Sequence, residues 1–379
     1  MLSGQIEALI ALRAGLEARG HSVRVVSAFG PDQLQEERRW DREYGDSRGI
    51  APRAGRVASL VGSVIAGARG SDLLHFNLPT PAFAGVADAV RLVTGIPTVV
   101  GYEAHLADVP AAAARLRAAP PFYAPRIAIN NGLIARMTAR RASCYVVSSK
   151  YQERELRDLG YDGQRVEVIP NLIDNTKLKR WDKSEARRAL DLPDKPLVAF
   201  AGHYHDVKGH DVLIEAFAEV RREIPDAHLV LAWSGIGSQY EVRAAIARAG
   251  IADRVIELGR LDVSQLFSAA DVVVLPYRFT IGQAAYPGTV LEAMTIGVPL
   301  VTSKLPLLEE LTDQGRTALL AQPGKADDLA RQIVGLLRDP NLGRQIMDAQ
   351  RQAMAERFDP EQLLDRYISV YRRVVDHTT

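Results

Sequence analysis

The sequence predicts an α/β protein with two Rossmann-like, doubly wound parallel-sheet domains that face a cleft, and three observations carry this prediction. Continuously apolar segments of strand length alternate with segments whose apolar residues recur at helical spacing. Strands of this type are typical of parallel sheets covered by helices on both faces. The alternation occurs twice, and residues 170–196, which are rich in Pro, Asp and Lys, separate the two sets.

The first set of segments predicts an N-terminal domain over residues 1–170. It begins with a helix over residues 4–19, which Gly20 ends. A strand over 22–27 follows this helix. The later strands are predicted at 72–76, 97–101, 144–147 and 166–169, and the helices at 56–68, 81–94, 126–140 and 150–159.

The second set predicts a domain over residues 171–358, followed by a C-terminal crossover helix within 359–379. Its strands are predicted at 197–202, 228–233, 254–258, 271–276 and 298–302, and its closing helices at 326–338, 341–357 and 360–375. In doubly wound sheets, ligands bind at the carboxyl ends of the strands. We therefore look for functional residues in the loops that follow these strands.

The start of the chain departs from this pattern. A doubly wound domain opens with a strand and a glycine-rich turn, whereas here the first helix begins at residue 4. In the usual strand order the first strand is central, so its absence would leave a gap at the middle of the sheet. We expect the chain to begin inside a longer protein; the alternative is a sheet that closes without this strand.

Composition and charge exclude several classes of protein. The 379 residues carry a net charge of +1, which does not indicate nucleic-acid binding. The single cysteine, Cys144, excludes an intramolecular disulfide and a cysteine-based zinc site, and its apolar surroundings predict an inert thiol. No apolar run approaches the ~20 residues that span a bilayer, so we expect a cytoplasmic protein.

One basic segment has two interpretations. Residues 136–141 include three arginines within a predicted helix. The favoured interpretation is a solvated helix face. The alternative is contact with an anionic acceptor, or peripheral contact of the N-terminal domain with the inner membrane face.

The most informative segment is a predicted strand, loop, helix and strand over residues 271–302. The helix begins beside Gly288. The N–H groups of its first turn, those of Gly288, Thr289 and Val290, lie at the positive end of the helix dipole. Gly288 has no side chain to obstruct a phosphate, and Glu292 is placed to accept hydrogen bonds from sugar hydroxyls. These features suit the diphosphate and ribose of a nucleotide-sugar.

Four short motifs follow one another along the chain. They are Gly20-His21-Ser22-Val23, Ile169-Pro170-Asn171-Leu172-Ile173-Asp174, Ala201-Gly202-His203 with Lys208-Gly209, and Glu292-Ala293-Met294 with Gly297-Val298-Pro299. In these motifs the chain resembles the retaining glycosyltransferases of family 4, which have the GT-B fold. The resemblance implies an acceptor-side N-terminal domain, a donor-binding second domain and a C-terminal helix that crosses back to the first.

The resemblance implies roles for the turn after the first strand of the second domain. Lys208 would bind the donor diphosphate, because a cation stabilises the negative charge that grows on the leaving group. Gly202 and His203 would line the same turn. The family has an arginine where this chain has His203, and Arg260 and Arg278 are candidate substitutes by loop position.

The chain departs from the family's pattern at a further position of the second domain. The resemblance also implies site residues in the N-terminal domain. Glu292 resembles the second glutamate of the family's Glu-(x)7-Glu motif, which holds the ribose, whereas Ala284 stands where the first is expected. The loss at Ala284 puts the identity of the donor sugar in doubt. His105 resembles a family histidine near the donor sugar, with Glu103 as the alternative, and Gly4 stands where the family has its acceptor- and phosphate-facing loop.

These features predict a hexosyltransferase-like enzyme with Lys208, His105 and Glu292 as its catalytic residues. It would move a sugar from a nucleotide-sugar, most often a UDP-sugar in this family, to a hydroxyl of a carbohydrate, lipid-linked or small-molecule acceptor. The resemblance implies retention of configuration and no required cofactor. The histidines at 203, 205 and 210 fit no strong metal motif, so we predict no metal site. The alternatives are a nucleotide-sugar epimerase on the same fold and a non-catalytic partner subunit.

Overall fold

The computed structural model describes residues 4–25, 54–78, 84–102, 144–161, 165–173, 178–204, 206–279 and 286–377. They belong to two compact units. The C-terminal unit is Ile173–Pro360, and the N-terminal unit comprises the residues before it together with those from Glu361 onward. The last helix of the chain therefore belongs to the N-terminal unit, in agreement with the predicted crossover.

The N-terminal unit contains four parallel strands that pair in chain order. The described elements are α1 (Gly4–Ala18), α2 (Ala54–Gly67), β1 (Leu74–Leu78), α3 (Ala84–Thr94), β2 (Thr98–Tyr102), β3 (Tyr145–Val147), α4 (Lys150–Asp158), β4 (Val166–Val168) and the C-terminal helix (Pro360–Asp376). The four strands predicted from residue 72 onward are all present. Among the described residues of the whole chain, no helix is long and apolar enough to cross a bilayer.

The beginning of this unit differs from the prediction. Residues 22–25 form no strand, and the rest of the strand predicted at 22–27 lies outside the described residues. Each of the four described strands is hydrogen-bonded to its neighbour in sequence. The gap expected at the middle of the sheet is therefore absent from the part of the sheet that the structure describes.

Both faces of this sheet are buried, which explains the continuous apolar runs of its strands. Successive side chains point to opposite faces. Val99 and Val146 pack with α1 and the C-terminal helix, whereas Val100 and Val147 pack with α3 and α4. Cys144 lies in the first of these layers, where burial raises the pKa of its thiol to about 11. The thiol therefore stays protonated near neutral pH, which supports the predicted packing role of Cys144.

The C-terminal helix is anchored on α1 and on the sheet. It contributes a run of buried residues at helical spacing: Leu363, Leu364, Tyr367, Ile368 and Val370. A Cβ added at Gly15 of α1 would lie only 2.8 Å from Cδ2 of Leu364, so the absence of a side chain permits this close packing. Arg19, just after α1, pairs with Glu361 and Asp365 at the edge of the same contact.

His75 of β1 forms a polar contact with the same helix. Its Nδ1 lies 2.7 Å from the hydroxyl oxygen of Tyr371. Its ring also packs against Tyr367, with ring centroids 6.2 Å apart. Burial lowers the pKa of His75 to about 4, because the charged imidazolium would lose its hydration. The packed arrangement therefore contains the neutral imidazole.

The C-terminal unit contains a larger parallel sheet. Its elements are α5 (Lys183–Ala189), β5 (Leu197–Tyr204), α6 (His210–Glu223), β6 (His228–Gly237), α7 (Gln239–Ala249), β7 (Val255–Leu258), α8 (Val263–Ala269), β8 (Val272–Leu275), α9 (Gly288–Ile296), β9 (Leu300–Ser303), α10 (Pro306–Leu311), β10 (Leu319–Ala321), α11 (Ala326–Arg338) and α12 (Pro340–Arg357). All the predicted strands of this unit are present, and α5, α10 and β10 are additional.

The strand order of this sheet is β10-β9-β8-β5-β6-β7. The chain builds outward from β5 through β6 to β7, returns to β8 on the other side of β5, and then builds outward again. The loops that leave β5 and β8 therefore diverge from adjacent strands. Such a switch point is where doubly wound sheets bind ligands.

Asp271, which directly precedes β8, joins several elements of this unit. One carboxylate oxygen accepts the Leu197 N–H at 2.7 Å and pairs with Arg187 at 2.8 Å, and the other pairs with Lys183 at 2.8 Å. Asp271 thus joins α5, β5 and the start of β8. Sequence reasoning missed this because the three partners lie 74 to 88 positions away in the chain.

The anchoring of the C-terminal helix can be tested with Leu364→Ala. We expect a loss of about 3 kcal/mol in the free energy of unfolding of the N-terminal unit, from lost burial and the cavity left beside Gly15. Urea titrations followed by circular dichroism would measure this change. The matched control is Arg372→Ala, at an exposed position of the same helix. Equal midpoints for the two variants would contradict the packing role.

The burial of His75 predicts a dependence of stability on pH. Between the ordinary histidine pKa of about 6.5 and the folded value of about 4, only the unfolded state binds the proton. Stability should therefore fall as the pH is lowered through this window, and His75 should add no such dependence above it. Urea midpoints measured from pH 8 to pH 4.5 should fall more steeply in the wild type than in His75→Gln. Parallel curves would refute this assignment.

Candidate functional site

The candidate site lies at the switch point of the C-terminal unit. The turn after β5 contains a short 3-10 helix, Asp206–Lys208, which leads through Gly209 into α6. The segment Pro276–Arg278 leaves the adjacent strand β8, and α9 begins at Gly288. Two of the segments predicted to bind a diphosphate therefore originate from neighbouring strands of one sheet.

Gly209 brings the two loops into direct contact. Its φ is +66°, a left-handed conformation that favours glycine. A Cβ at this position would lie 1.9 Å from the Pro276 carbonyl oxygen, so no side chain fits. The next contact is a hydrogen bond of 3.0 Å from the Arg278 N–H to the Val207 carbonyl. These contacts fix Lys208, which lies between Val207 and Gly209, against the segment that follows β8.

Lys208 is half-buried with its charge over an aromatic face. Its Nζ lies 4.7 Å from the ring centroid of Tyr277, a cation–π contact. Burial lowers the pKa of Lys208 to about 8, and the nearby negative charge of Glu292 opposes this shift. The site therefore contains a partly dehydrated cation, mostly protonated near neutral pH.

The first turn of α9 presents backbone donors beside this cation. Pro287, at the N-cap, has no N–H and makes no side-chain cap. The Val290 N–H donates to the Pro287 carbonyl at 3.0 Å, and the Val290 side chain is fully buried. The Val290 N–H and side chain thus contribute to the helix and its core, and the ligand role of Val290 stays a prediction. The N–H groups of Gly288 and Thr289 precede this first intrahelical bond, at the positive end of the helix dipole.

Glu292 and Tyr277 connect this helix to Lys208. Glu292 follows Gly288 by one helical turn and therefore lies on the same face of α9, with 8% of its surface exposed. Its negative charge acts on both Lys208 and Tyr277. The Tyr277 side chain lies beside that of Thr289, and burial raises the pKa of Tyr277. We call Lys208, Tyr277, Thr289 and Glu292 the Lys208 cluster.

His203 and the candidate arginines occupy different parts of the sheet. His203 follows Gly202 in β5, and its Nδ1 is hydrogen-bonded to the Ser234 hydroxyl of β6. Arg278 lies at the switch point, where its guanidinium pairs with a carboxylate in the first turn of α6, that of Asp211. Arg260 is exposed after β7, which β6 separates from β5. Arg278 is therefore the better placed of the two arginines.

Several predicted residues lie outside the described part of the chain. They are Glu103, His105, residues 136–141, Asp174, His205 and Ala284. Gly4 is the first residue of α1, in the N-terminal unit. Asn171 accepts a hydrogen bond of 2.7 Å from the Ser148 hydroxyl, a contact that shapes the turn after β4. Within the described ranges, no three His, Cys, Asp or Glu side chains are grouped as metal ligands.

Tyr277 and Asp211 were missed by sequence reasoning. Tyr277 directly follows the predicted strand 271–276, so its place at a carboxyl strand end was a usable signal. Asp211 had no such signal, because its partner Arg278 is 67 positions away. Lys208 and the backbone donors at the start of α9 are suited to an anion with two or more phosphate oxygens.

Comparison with known proteins identifies the family. The family model described as "Glycosyltransferase Family 4" matches residues 3–177, and the model described as "Glycosyl transferases group 1" matches residues 195–339. The two matches together span most of both units. They include the turn after β5 and the Lys208 cluster.

Curated relatives match part of their own length. D-inositol 3-phosphate glycosyltransferase of Mycolicibacterium paratuberculosis is 29% identical over 245 residues, which cover 62% of this chain and 54% of that protein. N-acetyl-alpha-D-glucosaminyl L-malate synthase of Bacillus anthracis is 25% identical over 224 residues, covering 58% and 57%. The chain thus spans little more than half the length of these relatives.

Solved structures share the fold along nearly the whole chain. Anabaena HepE in complex with UDP and glucose has a TM-score of 0.72 and 22% identity, with 97% of this chain and 96% of that one covered. A glycosyltransferase from Rickettsia africae has a TM-score of 0.75 and 15% identity, with coverage of 99% and 96%. These likenesses and the two parallel sheets establish the GT-B fold. The chain belongs to glycosyltransferase family 4, within the group 1 glycosyltransferases.

Proposed function

We propose that this protein transfers a sugar from a nucleotide-sugar donor, a UDP-sugar, to an acceptor hydroxyl. The observation that carries the proposal is the Lys208 cluster at the switch point of the C-terminal unit. It combines a dehydrated cation, the N-terminus of α9 and a buried carboxylate. Anabaena HepE, which shares the fold, was crystallised with UDP and with UDP-glucose, and this supports the choice of UDP.

Each member of the cluster has a distinct proposed role. Lys208 stabilises the negative charge that develops on the diphosphate as the glycosidic bond breaks. The N–H groups of Gly288 and Thr289 bind phosphate oxygens, and Glu292 accepts hydrogen bonds from the ribose hydroxyls. A metal ion is unnecessary in this proposal, because Lys208 and the helix end neutralise the diphosphate. His105, from the N-terminal unit, is proposed to act near the donor sugar.

The stereochemistry and acceptor rest on the family alone. We propose retention of configuration through attack on the same face of the sugar, without an enzyme nucleophile, and NMR of the anomeric proton of the product would test it. Relatives named for inositol 3-phosphate and malate support a polar small-molecule acceptor, while carbohydrate and lipid-linked acceptors stay open. Because the named relatives are glycosyltransferases, the epimerase and non-catalytic alternatives are not favoured.

We also propose a cytoplasmic location with peripheral membrane contact. Its support is the sequence: the absence of a long apolar run and the three arginines of residues 136–141. Flotation of the full chain with vesicles of neutral and anionic lipids would test the contact. Binding to neither vesicle would remove the membrane part of the proposal and leave the transfer reaction untouched.

Replacement of either charged member of the cluster, Lys208 or Glu292, should weaken donor binding. We expect Lys208→Ala and Glu292→Ala to weaken UDP binding by at least about tenfold, because charge-assisted hydrogen bonds are lost. Donor turnover should fall by roughly 100-fold in Lys208→Ala. Calorimetric titration with UDP, in buffer containing EDTA, measures the first effect, and release of UDP from a panel of UDP-sugars measures the second.

The control for these variants is Lys195→Ala. It removes a lysine that pairs with Asp226 near the amino end of β5, whereas Lys208 follows the carboxyl end of that strand. It should bind UDP as the wild type does. Failure of the wild type to bind any nucleoside diphosphate would refute the proposed function. Binding that appears only after Mg²⁺ replaces EDTA would refute the metal-free part of it.

The pKa of Lys208 predicts how UDP affinity depends on pH. Because the protonated amine binds the diphosphate, affinity should be steady below the Lys208 pKa of about 8 and should weaken above it. The limit is about tenfold per pH unit for the loss of one proton. Titrations from pH 7.5 to pH 9.5 at constant ionic strength would measure this. In Lys208→Arg the charge persists at every pH, so a decline equal to that of the wild type would contradict the assignment.

A further inference from the structure

Tyr277 connects the two halves of the proposed diphosphate site. It is the second residue after β8, and only 2% of its surface is exposed. Its ring centroid lies 4.7 Å from the Lys208 ammonium nitrogen, and its side chain lies beside that of Thr289 in the first turn of α9. One side chain therefore contacts both the cation from the β5 turn and the helix end that follows β8.

We propose that Tyr277 is a positioning residue, whose ring holds the Lys208 ammonium and whose hydroxyl holds Thr289, so that both groups meet the donor diphosphate together. This proposal rests on the proposed function, which it deepens by assigning how the diphosphate site is organised. Tyr277 itself does not touch the substrate in this arrangement. It acts through Lys208 on one side and through Thr289 on the other.

The aromatic ring suits the task of holding a cation that must stay available. A dehydrated ammonium needs a negative partner, and a directly paired carboxylate would neutralise the charge that the diphosphate requires. The ring face attracts the ammonium through its quadrupole and uses none of its three N–H donors. The ammonium is therefore stabilised in place while its hydrogen bonds remain directed to other groups, including an incoming anion.

The phenol hydroxyl suits the second contact for a similar reason. Burial raises the pKa of Tyr277, so the hydroxyl stays protonated near neutral pH. A neutral hydroxyl beside Thr289 positions that side chain without adding negative charge beside the helix end. The positive end of the α9 dipole thus stays open to phosphate.

The surrounding contacts hold Tyr277 rigidly. On its N-terminal side, the Pro276 carbonyl lies against Gly209, where any Cβ would collide. On its C-terminal side, the Arg278 N–H is bonded to Val207, and the Arg278 guanidinium pairs with Asp211 of α6. Because both neighbours are tied to the β5 turn and its helix, the ring and the ammonium keep their relative positions.

The test separates the ring from the hydroxyl with two variants. Tyr277→Phe keeps the ring and removes the hydroxyl, whereas Tyr277→Leu removes both. The control is Phe217→Leu, a fully buried aromatic residue of α6 in the same unit, which reports the cost of losing a core ring. Protein labelled with ¹³C-lysine would be observed by NMR without ligand, with the Lys208 signal identified from its loss in Lys208→Arg.

We expect the Lys208 ε-methylene signal to lie upfield in the wild type and in Tyr277→Phe, because it lies over a ring face. In Tyr277→Leu the Lys208 signal should return to the chemical shift of the other lysines. The Lys208 pKa should also fall by roughly one pH unit, because the site stays apolar while the attraction of the ring is lost. UDP binding should weaken by about tenfold in Tyr277→Leu. In Tyr277→Phe it should weaken by about threefold, from loss of the hydroxyl contact alone.

Two results would overturn the proposal. One is a Lys208 signal and pKa that are the same in Tyr277→Leu as in the wild type. The other is UDP affinity that falls in Phe217→Leu as much as in Tyr277→Leu, since that would indicate a general structural effect. The NMR measurement needs no nucleotide. It therefore decides the contact between Tyr277 and Lys208 even if UDP fails to bind the wild type and the proposed function is wrong.

Discussion

The close approach of Gly209 to the Pro276 carbonyl is the constraint on which the candidate site depends. Only a residue without Cβ, in a left-handed conformation, can occupy this point. The contact sets the turn after β5 directly against the segment after β8. Lys208 precedes Gly209 and Tyr277 follows Pro276, so the cation and the ring meet because these backbones meet. A larger residue at position 209 would separate the two loops before it affected either strand.

The electrostatics of the site follow from this geometry. Burial removes water from Lys208 and lowers its pKa to about 8. The negative charge of Glu292, on α9, opposes this shift. The ring of Tyr277 adds attraction without neutralising charge. A cation held in this way is more responsive to an incoming diphosphate than a lysine in solvent, because little reorganisation of water is needed when negative charge arrives.

Sequence patterns predicted most elements of both sheets because strand and helix periods depend on local side-chain direction. They were less successful wherever a residue's role depends on distant partners. No local pattern indicated that Asp271 joins α5, β5 and β8. Arg260 and Arg278 could not be ranked until the strand order separated them.

The sequence by itself determined the fold class and the residue types that carry the chemistry. Alternating apolar segments specify buried parallel strands, and a glycine before a carboxylate-bearing helix indicates a candidate anion site, since both follow from local geometry. Only the tertiary structure decided which loops meet. The return of the chain from β7 to β8, beside β5, brings Lys208 to Tyr277 and α9 across about seventy residues. Sheet topology has no local signature, and it is sheet topology that assembles the Lys208 cluster.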